Sequence, residues 1–128
     1  DYAIRVLRVL ACENTVSERE ICKKEDISMS ITYKITRKLE KAGIIQSFRG
    51  TNGGYAIKKK LDDVTLFDVI EIVDKELLIT ECLQHDYHCS RNPKSDACKV
   101  HQELCRLQQL LTDEIKRKSL SKIFAGEN

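Results

Sequence analysis

The stretch IIQSFRGTNGGYAIKK, residues 44–59, limits the fold more than any other part of this chain. Two short β-type runs, IIQSF and YAIKK, flank the link RGTNGG. Asn-Gly between such runs is the strongest short-range hairpin signal. The hairpin directly follows a helical pattern. Ile31, Ile35, Leu39 and Ala42 form its apolar stripe, and Gly43 follows where a left-handed cap ends a helix. Thr32, Tyr33, Lys34, Arg37, Lys38 and Lys41 are expected on the opposite face.

Local signals set the elements around this pair. Ala3, Val6, Leu7 and Leu10 recur at helical spacing over residues 2–12. Ser17 and Glu20 form a capping box, and Val16 and Ile21 stand where a hydrophobic staple closes, so a short helix is expected over 17–24. Ile27 then enters a turn, and Ser28 or Ser30 offers the next cap. Val64, Thr65, Asp68 and Val69 repeat the box and staple ahead of a helix over 66–74. Val100, Leu104, Leu107, Leu111 and Ile115 lie on one long helical pattern over 97–118. A long apolar seam in a small protein often pairs with a second copy of itself. The expected fold class is mainly α with a small β-hairpin wing: a winged helix-turn-helix domain over 1–75, a cysteine-containing sensor loop over 76–97, and a dimerisation helix and tail over 98–128.

Charge points to a partner. Residues 28–60 hold Lys34, Arg37, Lys38, Lys41, Arg49, Lys58, Lys59 and Lys60 against Glu40 alone, in a chain whose net charge is only +2. A basic segment in an otherwise acidic chain suits a polyanion. In a winged helix-turn-helix, the second helix of the pair lies in the major groove and its N-terminal residues reach base edges. Arg49 and Asn52 on the hairpin can reach the backbone or the adjacent minor groove, where a narrow groove attracts arginine.

The strings DYAIRVLRVLA, ISMSITYKITRKLEKAGIIQSFRGTNGGYAI and VTLFDVIEIVD resemble the bacterial winged helix-turn-helix transcription regulators of the IscR/NsrR/CymR family. The resemblance covers residues 1–74 and continues into Cys98, His101 and the helix after them. Its most specific part is the wing string AGIIQSFRGTNGGY. The resemblance implies a homodimer on a pseudo-palindromic operator and crossed C-terminal helices as the dimer contact; the chain itself is expected to stay in the cytoplasm, associated with the nucleoid. It implies base contacts at Ser30, Ile31, Thr32, Tyr33 and Lys34, and a minor-groove role for Arg49. With Ser28, Arg37, Lys38, Thr51, Asn52 and Gly53 these complete the candidate DNA-contacting set. IscR-type members carry Glu where this chain has Tyr33, and tyrosine cannot act as a pure acceptor from cytosine, so their operator does not carry over.

Residues 82–105 hold four of the six cysteines and all three histidines. Their spacing lacks the close pairs of zinc knuckles, whereas iron–sulfur clusters accept wider intervals. The resemblance implies Cys82, Cys89 and Cys98 as cluster ligands, with His101 as the fourth and Asp1 as the alternative. A two-iron two-sulfur cluster is favoured over a four-iron four-sulfur one. If Cys98 begins the long helix, His101 lies ~4.5 Å along its axis. Cys105 lies ~10 Å along, too far for an intrahelical disulfide with Cys98. Cys105 is then a seam or core residue, or a partner for a thiol elsewhere. Cys12 and Cys22 are expected as packed thiols on apolar helix faces, and His85 and His88 as surface residues. Asn92-Pro93 makes the loop irregular around residues 90–95.

Two readings compete with the cluster sensor: a DNA-binding regulator responding through thiols or a metabolite, and a protein-binding winged helix or iron–sulfur carrier. A carrier has no need of the basic segment. No nucleophile–base pair, phosphate loop or paired carboxylates support an enzyme. No apolar run approaches the ~20 residues of a membrane span, and Arg5 and Arg8 break the first apolar stretch, which argues against a signal peptide. The chain begins with Asp rather than Met, so further N-terminal residues are expected.

Overall fold

The structure is a computed structural model describing residues 1–91 and 97–127. Its elements run α1 (Tyr2–Cys12), α2 (Glu18–Glu25), α3 (Met29–Lys41), β1 (Ile45–Phe48), β2 (Gly54–Ile57), a 3₁₀ turn (Leu61–Asp63), α4 (Leu66–Asp74), a second 3₁₀ turn (Glu81–Leu83), α5 (Lys99–Lys116) and α6 (Leu120–Phe124). No described helix is long and apolar enough to cross a membrane.

The core forms where α1, α2 and α3 meet the base of the hairpin. Val6, Leu7, Leu10, Val16, Ile21, Leu39, Ile45, Val64 and Leu120 are at most 2% exposed. Both expected capping boxes form, on Ser17 with Glu20 and on Thr65 with Asp68. Ser17 holds the Glu20 carboxyl below its usual pKa, through backbone and then side-chain hydrogen bonds. Ser28 rather than Ser30 caps α3, its Oγ accepting from the Ile31 N–H at 3.3 Å. At the other end Gly43 has φ +78°, and the amides of Gly43 and Ile44 return to the carbonyls of Glu40 and Leu39. This Schellman closure sends the chain straight into β1.

β1 and β2 pair antiparallel from Ile45 opposite Ile57 to Phe48 opposite Gly54. The link is therefore a five-residue loop, residues 49–53, within the expected RGTNGG. Its tight turn runs from Gly50 to Gly53, whose N–H donates to the Gly50 carbonyl at 2.9 Å. Tyr55 exchanges both backbone hydrogen bonds with Val16, which fastens the wing to the α1–α2 corner. Gly54 makes that closeness feasible: a Cβ there would lie 2.4 Å from the Val16 carbonyl oxygen, at φ +155°. Gly54→Ala should therefore cost more than ~1 kcal/mol, visible as a lower urea midpoint. An unchanged midpoint would show that the wing yields freely.

The tail after the long helix returns to the core. Leu120 is fully buried, its N–H donates to the Val64 carbonyl at 2.7 Å, and Ser119 bridges Thr65. Ile123 and Phe124 pack on the same core. Between these attachments α5 has no buried residue. Gln108 ties it to the preceding linker: its Nε2 donates to Leu77 O at 2.7 Å and its Oε1 accepts from Ile79 N–H at 2.9 Å.

Candidate nucleic-acid interface

The exposed side of α3 carries Ser30, Tyr33, Lys34, Arg37, Lys38 and Lys41. Thr32 is not among them. It is fully buried, and the Cys22 S–H donates to its hydroxyl at 3.2 Å. The buried stripe of α3 is Thr32, Ile35, Thr36 and Leu39. Ile31 is half-buried and packs against the core. Ser28 is exposed at the helix start. The Lys38 ammonium turns away and donates to the Val73 carbonyl at 2.8 Å, closing the end of α4. Arg37 Nη1 donates to the Tyr33 hydroxyl at 3.0 Å; that bond, and then the charge of Tyr33, raise the guanidinium pKa.

Arg49, Thr51 and Asn52 are exposed on the wing, and Gly53 is half-buried behind them. Ion pairs engage several arginines outside this face. Arg5 pairs with Asp1 at 2.9 Å and Arg8 with Glu25 at 2.7 Å. Among the described residues no carboxylate pairs with Lys34, Arg37, Lys41, Arg49 or Lys58. Glu40, the lone acid of the segment, accepts from the Ser47 hydroxyl. The cations of α3 and the wing thus remain available to phosphates.

The cysteines are all free thiols. Cys82 lies in the second 3₁₀ turn, Cys89 in the loop after it, and Cys98 caps α5; each is half-buried. The Cys98 sulfur accepts from the His101 N–H at 3.4 Å, and His101 Nε2 lies 3.4 Å from the Cys105 sulfur. The donor chemistry of three thiols and an imidazole fits an iron–sulfur centre. Among the described residues, however, no three His, Cys, Asp or Glu side chains gather as a metal shell. Asp1 is engaged by Arg5. Cys105 is exposed in the single chain, like Leu107 and Leu111 of the same helix. One expectation needs correction. Cys12, at the last residue of α1, is also exposed, opening on a polar cleft of about 820 Å³ below the wing residues Thr51 and Asn52. Cys22 is half-buried against Thr32 and Met29. His85 and His88 are exposed, and His85 contacts Asp86. The expected irregularity at Asn92-Pro93 lies outside the described residues.

The profile of the Rrf2 family, described as an iron-dependent transcriptional regulator, matches residues 1–126. The chain belongs to the Rrf2 family of transcriptional regulators. An HTH-type transcriptional regulator of Aquifex aeolicus is 30% identical over 120 residues, spanning 90% of this chain and 81% of that protein. The regulator NsrR of Halalkalibacterium halodurans is 27% identical over 119 residues, spanning 90% and 75%. In three dimensions the chain is similar to CymR, the global cysteine regulator of B. subtilis, with a TM-score of 0.75 at 18% identity, covering 99% of this chain and 93% of that one.

The Rrf2 membership agrees with the winged helix and with DNA as the partner of its basic face. Two features of this Rrf2 chain escaped the sequence reading. The Tyr33–Arg37 pair was a legible signal, since the residues stand at i and i+4. The contact between His101 and Cys105 has the same spacing.

Proposed function

We propose that the chain is a dimeric, repressor-like regulator of duplex DNA, acting in the cytoplasm, whose affinity is set by an iron–sulfur centre on Cys82, Cys89 and Cys98. His101 is the fourth ligand, with Asp1 as the alternative. One observation carries this reading: Cys98 caps the helix that would join two copies, and Cys82 and Cys89 are themselves half-buried in the otherwise largely exposed segment before it. The family's description as iron-dependent supports it. When bound, such a centre supplies a redox-active group responsive to oxidants, nitric oxide and iron supply. The protein's own part is mechanical. Cys82 and Cys89, tied to Cys98, would fix the incoming loop against the start of α5. Because α6 anchors the far end of α5 to the winged unit, a shift of α5 moves α3 with it. In a dimer both recognition helices must enter successive major grooves, so a change of about 1–3 kcal/mol suffices for a switch.

Anaerobic purification with iron and sulfide counts tests this. A coloured protein with matched iron and sulfide is expected, and Cys89→Ala should bleach it. Colourless, iron-free protein from the same preparation would sink the cluster reading.

A second reading keeps DNA binding and dispenses with the centre. It is favoured by the 3.4 Å approach of His101 to Cys105. The fold similarity to a protein titled a global cysteine regulator also supports it. Metal-free protein whose duplex affinity changes on reversible thiol oxidation would decide for it.

A further inference from the structure

We propose that Arg37 reads a guanine in each half-site, and that Tyr33 is the positioning residue that aims it. The inference rests on the DNA-binding reading above and adds the base class recognised. Tyr33 and Arg37 stand about one turn apart on the exposed face of α3, with Tyr33 50% exposed. A helical side chain leans toward the helix N-terminus. Arg37 accordingly crosses the ~6 Å between the two Cα levels, where its Nη1 donates to the Tyr33 hydroxyl at 3.0 Å. Its guanidinium carbon lies 5.7 Å from the centre of the Tyr33 ring. The charge is thus carried back toward the end of the helix that meets base edges.

The alternatives on the same face are less suited. Lys38 is occupied with the Val73 carbonyl and Thr32 is buried. Lys34 is exposed, but an ammonium is a point charge suited to phosphate, while the planar fork of arginine matches O6 and N7 of guanine. The bond to Tyr33 engages one of five guanidinium N–H donors and leaves the others for a base. Among the described residues no carboxylate pairs with Arg37, and Glu40 one turn on is engaged by Ser47. The Tyr33 hydroxyl accepts from Arg37, which fixes the direction of the guanidinium.

The test is a selection by the full chain from duplexes with a randomised core. Affinities of wild type, Arg37→Ala, Arg37→Lys and Tyr33→Phe for the selected duplex and its point variants are then measured at several salt concentrations. Wild type should hold one guanine per half-site whose replacement weakens binding about ten- to a hundred-fold. Arg37→Ala and Arg37→Lys should lose the preference at that position and keep it elsewhere. Tyr33→Phe, which keeps the ring, should reduce that one preference several-fold with the salt dependence unchanged. Uniform weakening by Arg37→Ala on every sequence, with a shallower salt slope, would mark a phosphate contact and overturn the proposal. So would an unaltered guanine preference in Tyr33→Phe. If wild-type protein shows no salt-dependent affinity for any duplex, the DNA-binding reading itself falls, and this inference with it.

Discussion

Leu107→Glu combined with Leu111→Glu should leave the chain monomeric and lower its affinity for duplex DNA at least a hundred-fold. The two leucines are 40% and 37% exposed, and Leu110 and Val100 beside them are 54% and 68% exposed. They stand on a helix of 18 residues that buries none of them in a single chain. A twofold contact uses each position twice. At about 1.5–3 kcal/mol for fully burying a leucine, four leucines with about 40% of their surface left to bury amount to roughly 2–5 kcal/mol by simple addition. About 3 kcal/mol is roughly a hundred-fold in the dissociation constant. Sedimentation equilibrium reads the oligomeric state directly. A double variant that still sediments as a dimer would remove α5 from the interface. Because both side chains are exposed in the monomer, its circular dichroism should stay close to that of wild type.

The second large effect is expected inside the domain. Leu120→Ala should lose about 2–5 kcal/mol of stability, the usual cost of emptying a buried leucine site. Small domains have only about 5–15 kcal/mol in total, so the variant should unfold at a much lower urea concentration. At temperatures where it remains folded, its DNA affinity should be nearly normal, since Leu120 is buried in the core and not part of the exposed side of α3. A loss below about 1 kcal/mol would mean that α6 only rests on the core.

Chemistry between near neighbours was legible from the residues alone. Ser17 with Glu20, Thr65 with Asp68, and Gly43 each complete a helix end using partners within four positions, and all three behave as expected. What escaped depends on distant partners. α6 is five residues long, too short to display a period, and it is helical because Leu120 fills a hole bounded by Val64 and the helices. The inner stripe of α3 was misread: Ala42, expected on it, is exposed, and two of its members are threonines. Hydropathy does not mark Thr32 and Thr36 as core residues. Their hydroxyls are satisfied inside the fold, that of Thr32 by Cys22 of α2 and that of Thr36 by the Tyr33 carbonyl, which lets them be buried. The cysteine segment is the least legible part, because ligands so widely spaced are brought together, if at all, by loops whose course no local rule dictates. The exposure of Cys12 shows the same limit at a helix end, where the apolar face no longer has a neighbour to cover it.

The position of Leu120 also has a consequence for how the protein is made. The DNA-reading head is nearly complete in chain order by Val69, yet its core lacks a side chain supplied about fifty residues later. At about 5–20 residues per second, the ribosome takes roughly 3–10 s to cross that interval. Until then the Val64 carbonyl lacks its partner and the recognition helix sits on an unfinished base. Arrested synthesis would therefore yield fragments with a weakened head, so competence to find an operator is coupled to translation having passed through α5.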